Sequence, residues 1–311
     1  MPRTDPHLRL THFHNHRVVV TWVAPETERY TTLFEYVYTP GGSDFEGPKP
    51  YLHPVRTLAG HVVTTFRPHD HRWHKGIQMT IAHLSGQNFW GGNTYVHGKG
   101  YVALPEVGRM NHVRWHEIDA DTNGARVRLD HDVEWVASTG ERWITERRKW
   151  EIDEVNLEES WWSLRFTTTL TNIRGTELEI GSPTTHGRPM AGYGGLFWRG
   201  PRDFADPGAT VMGPDGRAGN EMMGYQARWL SFTGKHDGSD AVSTLVFINE
   251  HDSFRYPTAW FVRTADTPLV AFAPAFFTPY VLRDGEAIKF HHRIVIADGA
   301  WDRSRVESFV G

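Results

Sequence analysis

Strict alternation governs the middle of this chain. Val127, Leu129, His131, Val133 and Trp135 fall on one face of an extended segment, and Arg126, Arg128, Asp130, Asp132 and Glu134 on the other. A strand with one buried face separates these two sets, whereas a helix would mix them. Trp162, Leu164, Phe166, Thr168 and Leu170 repeat the pattern, as do Ile288, Phe290, His292, Ile294 and Ile296. Shorter strands are expected over 17–22, 33–38, 61–66, 228–233, 243–249 and 269–273. No window carries a sustained apolar pattern at helical spacing, and 30 Gly and 18 Pro punctuate the extended runs. Runs of strands separated by turns predict an all-β chain folded as a large antiparallel β-sandwich with few short helices.

No shift in composition marks a linker, so residues 1–311 are expected to form a single β-sandwich domain. Residues 200–224, rich in Gly, Pro, Asp and Met, read as a long loop over the sandwich. The chain has no cysteine, which removes thiolate metal sites, disulfides and a cysteine nucleophile. A net charge of −4 gives no basic excess for nucleic acid or an anionic membrane. The most apolar stretch, 269–277, is interrupted by Pro274 and is far too short to span a bilayer. The first residues lack the apolar core of a secretory leader, so a cytoplasmic location is expected. Phosphate-binding, dinucleotide-binding, serine-hydrolase and zinc-protease motifs are missing.

Chemistry concentrates in four places. Residues 69–76 run His69-Asp70-His71-Arg72-Trp73-His74-Lys75-Gly76. Such a cluster contributes little to folding, since its polar groups need solvent or partners wherever they lie, but histidine exchanges protons near neutral pH and binds metals. His53 and Arg56 lie just upstream. The second place is the strand face of Ile144, Glu146, Arg148, Trp150 and Ile152, where two charges interrupt an apolar series. They read either as a structural ion pair or as a pocket floor with Glu146 as a base. The third is the glycine-rich run from Ser182 to Arg199, which carries His186, Arg188, Tyr193, Trp198 and Arg199. The fourth is His291 and Arg293, expected to be solvated on the outer face of the last strand.

The blocks Pro50–Thr57, Asp70–Gly76, Asn88-Phe89-Trp90, Gly187-Arg188-Pro189 and Gly192–Arg199 resemble a bacterial domain family known by the label PmoA, or methane oxygenase PmoA-like. The methane oxygenase is a membrane enzyme and this chain shows no spanning stretch, so the label's activity is not implied. The resemblance implies a setting in sugar catabolism. The all-β pattern and aromatic content are also similar to the galactose mutarotase-like supersandwich.

These readings converge on an enzyme doing acid/base chemistry, of epimerase, lyase or hydrolase type, on a small carbohydrate. His71 or His74 would act as acid and Glu146 as base. Arg56, Lys75, Arg188 and Arg199 would hold oxygens, and Trp73, Trp90 and Trp198 would stack on the ring. His53, Asp70, Asn88 and Tyr193 complete the expected contacts. No cofactor is required; the alternative is a divalent metal on His69, His71 and His74, in an oxidative enzyme. A non-catalytic carbohydrate-binding module is the third reading. A homodimer is compatible with the sequence, and nucleic acid and membrane partners are not expected.

Overall fold

A computed structural model describes residues 5–121 and 124–311. Two eight-stranded antiparallel sheets stack face to face. The first runs, in spatial order, His7–Phe13, Arg17–Ala24, Arg29–Val37, Tyr51–Val55, Ile77–Thr80, Gly195–Arg199, Leu269–Ala273 and Ala259–Arg263. The second runs Thr210–Met212, Trp229–Lys235, Val242–Asn249, Ala287–Asp298, Trp161–Asn172, Arg142–Asn156, Val127–Val136 and Arg109–Ala120. This is the antiparallel all-β sandwich that the alternation predicts. Among the described residues one short α-helix, Arg303–Val310, follows the last strand, capped by Asp302, whose carboxylate accepts the Arg305 amide.

The alternating faces meet between the sheets. Phe34 stacks on Trp162 with ring centroids 6.1 Å apart, and Trp198 lies 5.6 Å from Phe247. A continuous core links Leu8 in the first strand to Ile296 in the last. Each large side chain fully buried there contributes ~1.5–3 kcal/mol. His131, which shares the apolar face of its strand, is buried too. Its Nε2 lies 2.7 Å from the Tyr36 hydroxyl, so the polar edge of the ring is not left bare.

Four neighbouring strands of the first sheet break the alternation, and Ile77–Thr80 is buried throughout. Gly195–Arg199 and Leu269–Ala273 are buried at every position, and Ala259–Arg263 at all but the last. Their outer face is covered by a second aromatic cluster that includes Trp90, Tyr193, Phe197, Phe261 and Phe276. The cover comes from excursions after Thr80 and Gly181. One strand pair, Thr94–Val96 with Gly100–Val102, and one three-stranded sheet, Tyr280–Leu282, Leu178–Gly181 and His83–Leu84, hold these excursions in place.

Two expectations need correction. Residues 61–66 form no strand. They make isolated bridges, Arg56 to Val62 and Phe66 to Lys75, because the chain here folds back on itself before crossing the sheet. Residues 200–224 are not one loop: Thr210–Met212 adds an edge strand to the second sheet, between the short 3-10 turns Arg202–Phe204 and Gly219–Met222.

Candidate functional site

The histidine-rich segment is a closed loop. The Arg67 amide donates to the His74 carbonyl, and successive turns join the His71 amide to Pro68 and the His74 amide to His71. Gly76 ends it at φ +62°, where a Cβ would sit 2.0 Å from the Leu52 carbonyl oxygen, so glycine alone lets the chain cross that strand. The loop sets His74 5.3 Å from the Phe197 ring, on the covered outer face of the first sheet, with His71 beside it. The two imidazoles stack with centroids 4.9 Å apart, and His74 meets Trp90 edge-on at 5.3 Å. Trp73 lies against Gly91 and Gly92; a Cβ on Gly92 would reach 2.6 Å from the indole.

These residues line a cleft of about 440 Å³, a size typical of small-ligand sites. His71, Trp73, His74, Trp90, Arg188 and Tyr193 of the expected set all face it. Phe261, Arg263, Asp266, Leu269, Tyr101 and Asn93 also line it, with the Phe261 ring 5.4 Å from that of Tyr193. The Tyr101 and Tyr193 hydroxyls are 3.1 Å apart, and the Arg188 guanidinium lies over the Tyr101 ring and bonds its hydroxyl.

Several polar atoms here have no hydrogen-bond partner among the described residues although they are buried: both ring nitrogens of His74, Nδ1 of His71 and Nε1 of Trp73. Burial pushes the His74 pKa well below its ordinary value, with the Arg199 guanidinium acting in the same direction. His74 is therefore a neutral imidazole at pH 7. Burial also lowers His71, with Asp70 opposing; its Nδ1 lies 3.5 Å from the Asp70 carboxylate. Tyr193 is pushed well above 10 by burial and stays a neutral hydroxyl.

Other expected site residues lie elsewhere. Glu146 is fully buried between the sheets. It accepts two bonds from Arg148 and one each from Trp135 Nε1 and Thr168, so its carboxylate is saturated and cannot meet a substrate as a base. Trp198 points into the core and donates to the Val63 carbonyl instead of stacking on a ligand. Lys75 is buried beside Glu46 at 3.2 Å, and Arg67 pairs with the same carboxylate. These guanidinium bonds pull the Glu46 pKa down to about 2. His53 bonds Thr64 and stacks on Phe66, and burial takes its pKa to about 4. Arg56 donates to the Gly60 carbonyl. Asn88 clamps its own loop, accepting the amides of Trp90 and Gly91. Asp70 pairs with Arg202 outside the cleft lining.

Arg199 is fully buried, and its three guanidinium nitrogens have no partner among the described residues. Burial lowers its pKa to about 10, and its charge acts on both His71 and His74. It does not line the cleft. The metal reading of His69, His71 and His74 also fails geometrically. His69 is exposed near Arg202, and among the described residues the group of ligand atoms that does converge is His83, Glu179 and His186. His291 pairs with Asp252 and Arg293 with Glu154 on the outer face, as structural contacts.

The sequence pattern of one family covers residues 27–310. The chain belongs to DUF6807. That family is described as one of unknown function, and the match lends no support to the PmoA label. No curated protein sequence matches the chain. Among solved structures, the chain is similar to an α-galactosidase from Lactobacillus brevis at 8% identity and a TM-score of 0.35, with 96% of this chain and 40% of that one covered. A GalM/aldose epimerase homologue from C. elegans gives 9% identity and a TM-score of 0.35, covering 96% of this chain and all of that one. The heparan sulfate lyase HepC from Pedobacter heparinus gives 8% identity and a TM-score of 0.35, covering 96% of this chain and 36% of that one. This DUF6807 chain thus spans well under half the length of the galactosidase and the lyase, and likeness at this level says nothing of activity. Among the described residues no helix is long and apolar enough to cross a membrane.

Proposed function

We propose that the cleft binds a sugar or sugar-derived ligand and that His71 exchanges a proton with it. One observation carries the reading: indoles, phenols and guanidiniums meet buried, unpartnered polar atoms in a single cleft of about 440 Å³. Aromatic faces suit the apolar faces of a sugar ring, while unpartnered donors and acceptors suit its hydroxyls. His74, held neutral, both donates and accepts. Arg188 and Arg263 hold oxygens or offset developing negative charge. His71, partly exposed and beside the Asp70 carboxylate, which opposes the lowering of its pKa by burial, is the imidazole assigned to take up and return a proton. With Glu146 locked in the core, Asp266 is the carboxylate in the cleft lining and takes the role of its partner. Epimerisation, elimination and hydrolysis all need such a transfer at a sugar carbon or oxygen.

The test screens monosaccharides, sugar acids and oligosaccharides by calorimetry and tryptophan fluorescence, then follows product formation. Trp73→Ala is expected to weaken binding about 10-fold, equivalent to ~1.4 kcal/mol. His71→Ala is expected to bind as before and turn over about 10²–10⁴-fold more slowly. Binding without any turnover in the parent chain would leave a carbohydrate-binding module and remove the catalytic role. Failure of every saccharide to bind would remove the reading altogether.

A further inference from the structure

We propose that His83, Glu179 and His186 form a site for one divalent transition-metal ion beside the aromatic cleft. The strands build it. His83 sits directly across from Gly181 in the small three-stranded sheet, and Glu179 lies two residues before Gly181 on the same face. Gly181 leaves that face open: a Cβ there would lie 2.8 Å from the Thr185 hydroxyl and 3.0 Å from the His186 ring. The turn after Gly181 then brings His186 back over it. That turn is tied by the Ser182 amide to the Thr185 hydroxyl and by the His186 amide to the Pro183 carbonyl.

The ligand atoms stand too far apart for hydrogen bonds and close enough to share one ion. Nε2 of His83 and Nε2 of His186 approach the same Glu179 oxygen at 3.9 and 3.6 Å, beyond hydrogen-bond length. All three ligand atoms lie within 4.8 Å of one another, and the rings are 3.7 Å apart between centroids. Ligand atoms on a tetrahedral ion with ~2.0–2.1 Å bonds stand about 3.3 Å apart, so small side-chain rotations close the gap. His186 is already oriented for it. Its Nδ1 lies 3.0 Å from the Ser182 carbonyl oxygen and 3.1 Å from the Thr185 hydroxyl, whose own proton goes to that carbonyl; with Nδ1 donating, Nε2 keeps its lone pair.

The surroundings add a second, separate indication. His83 and His186 line a hollow of about 10 Å³, room for a single small occupant. Glu179 stands outside this hollow, and Trp90, Asn93 and Tyr193 line both it and the cleft, so the two histidines lie between the carboxylate and the larger site. Two imidazoles and one carboxylate, with no sulfur, select zinc-like or iron-like divalent ions over calcium or magnesium. None of the three ligands belongs to the proton-transfer set of the cleft, so the two readings stand or fall separately.

The test needs no substrate. The chain is stripped with a chelator and titrated with Zn²⁺ by calorimetry and with Co²⁺ by visible absorption. One equivalent is expected to bind, with Co²⁺ giving the spectrum of a low-coordinate nitrogen and oxygen site. His83→Ala and His186→Ala are each expected to lose about 100-fold in affinity and Glu179→Gln about 10-fold, while His69→Ala leaves it unchanged. Glu179→Gln keeps the shape of a half-exposed side chain, and circular dichroism confirms that each variant is folded. Absence of saturable one-to-one binding overturns the proposal. So does equal affinity in the folded Glu179→Gln and His186→Ala variants, or preference for Mg²⁺ or Ca²⁺.

Discussion

A charged side chain on an apolar strand face has one of two fates, and Glu146 shows which decided here. Its carboxylate is matched by Arg148, Trp135 and Thr168, all buried, and Arg148 is held well above its ordinary pKa by that carboxylate and the Tyr36 hydroxyl despite its burial. Removing one partner of such a pair strands the other in a low-dielectric core. Glu146→Ala is therefore expected to lose about 3–5 kcal/mol of stability, read by urea unfolding, while the folded variant binds a cleft ligand like the parent. Unchanged stability would show that Arg148 finds other partners. The alternation identified Glu146 and Arg148 as an anomaly, but not its resolution, because Trp135 and Thr168 come from neighbouring strands. His83 shows the reverse case. Nothing near it in sequence marks it, and its partners Glu179 and His186 lie about a hundred residues away.

At the scale of the element, the distinctive glycine blocks are crossing points of backbone. Gly195 opens its strand at φ +80°, and a Cβ there would meet the Phe272 carbonyl oxygen at 2.0 Å. Both the sign of φ and the close approach demand glycine. Gly195→Ala is expected to cost well over ~1 kcal/mol in chemical unfolding. Gly41→Ala, where nothing lies within 4 Å of the new methyl group, is expected to change stability little. Equal behaviour of the two variants would contradict the close-approach account. The strands these glycines serve are also the ones sequence periodicity describes least well. Gly195–Arg199 and Leu269–Ala273 are covered on both faces, so they carry no alternation to read. The half-solvated strand Val127–Val136 carries it clearly.

Over the whole molecule, many imidazoles are folded away from water. Burial takes His53 and His112 to about 4 and His292 to about 3, and pushes His74 and His131 well below their ordinary value. Below about pH 6.5 the unfolded chain takes up protons that these folded groups refuse, so stability rises with pH through this window. The melting temperature is expected to fall as pH drops from 7 toward 4. His292→Phe, which replaces a ring stacked 3.9 Å from Phe272 and lacking partners among the described residues, should shallow that slope. A melting temperature flat between pH 7 and 5 would refute the linkage. The sequence alone determined the all-β class and the strand faces, because period-two burial is a local property of neighbouring residues. It also singled out His71, Trp73, His74, Trp90, Arg188 and Tyr193, which line one cleft in the folded chain. Tertiary structure decided which of the marked groups share solvent-accessible space, set Glu146, Lys75 and Trp198 in the interior, and brought His83 to His186. Convergence of side chains depends on sheet stacking and strand order, and no local pattern in the chain encodes either.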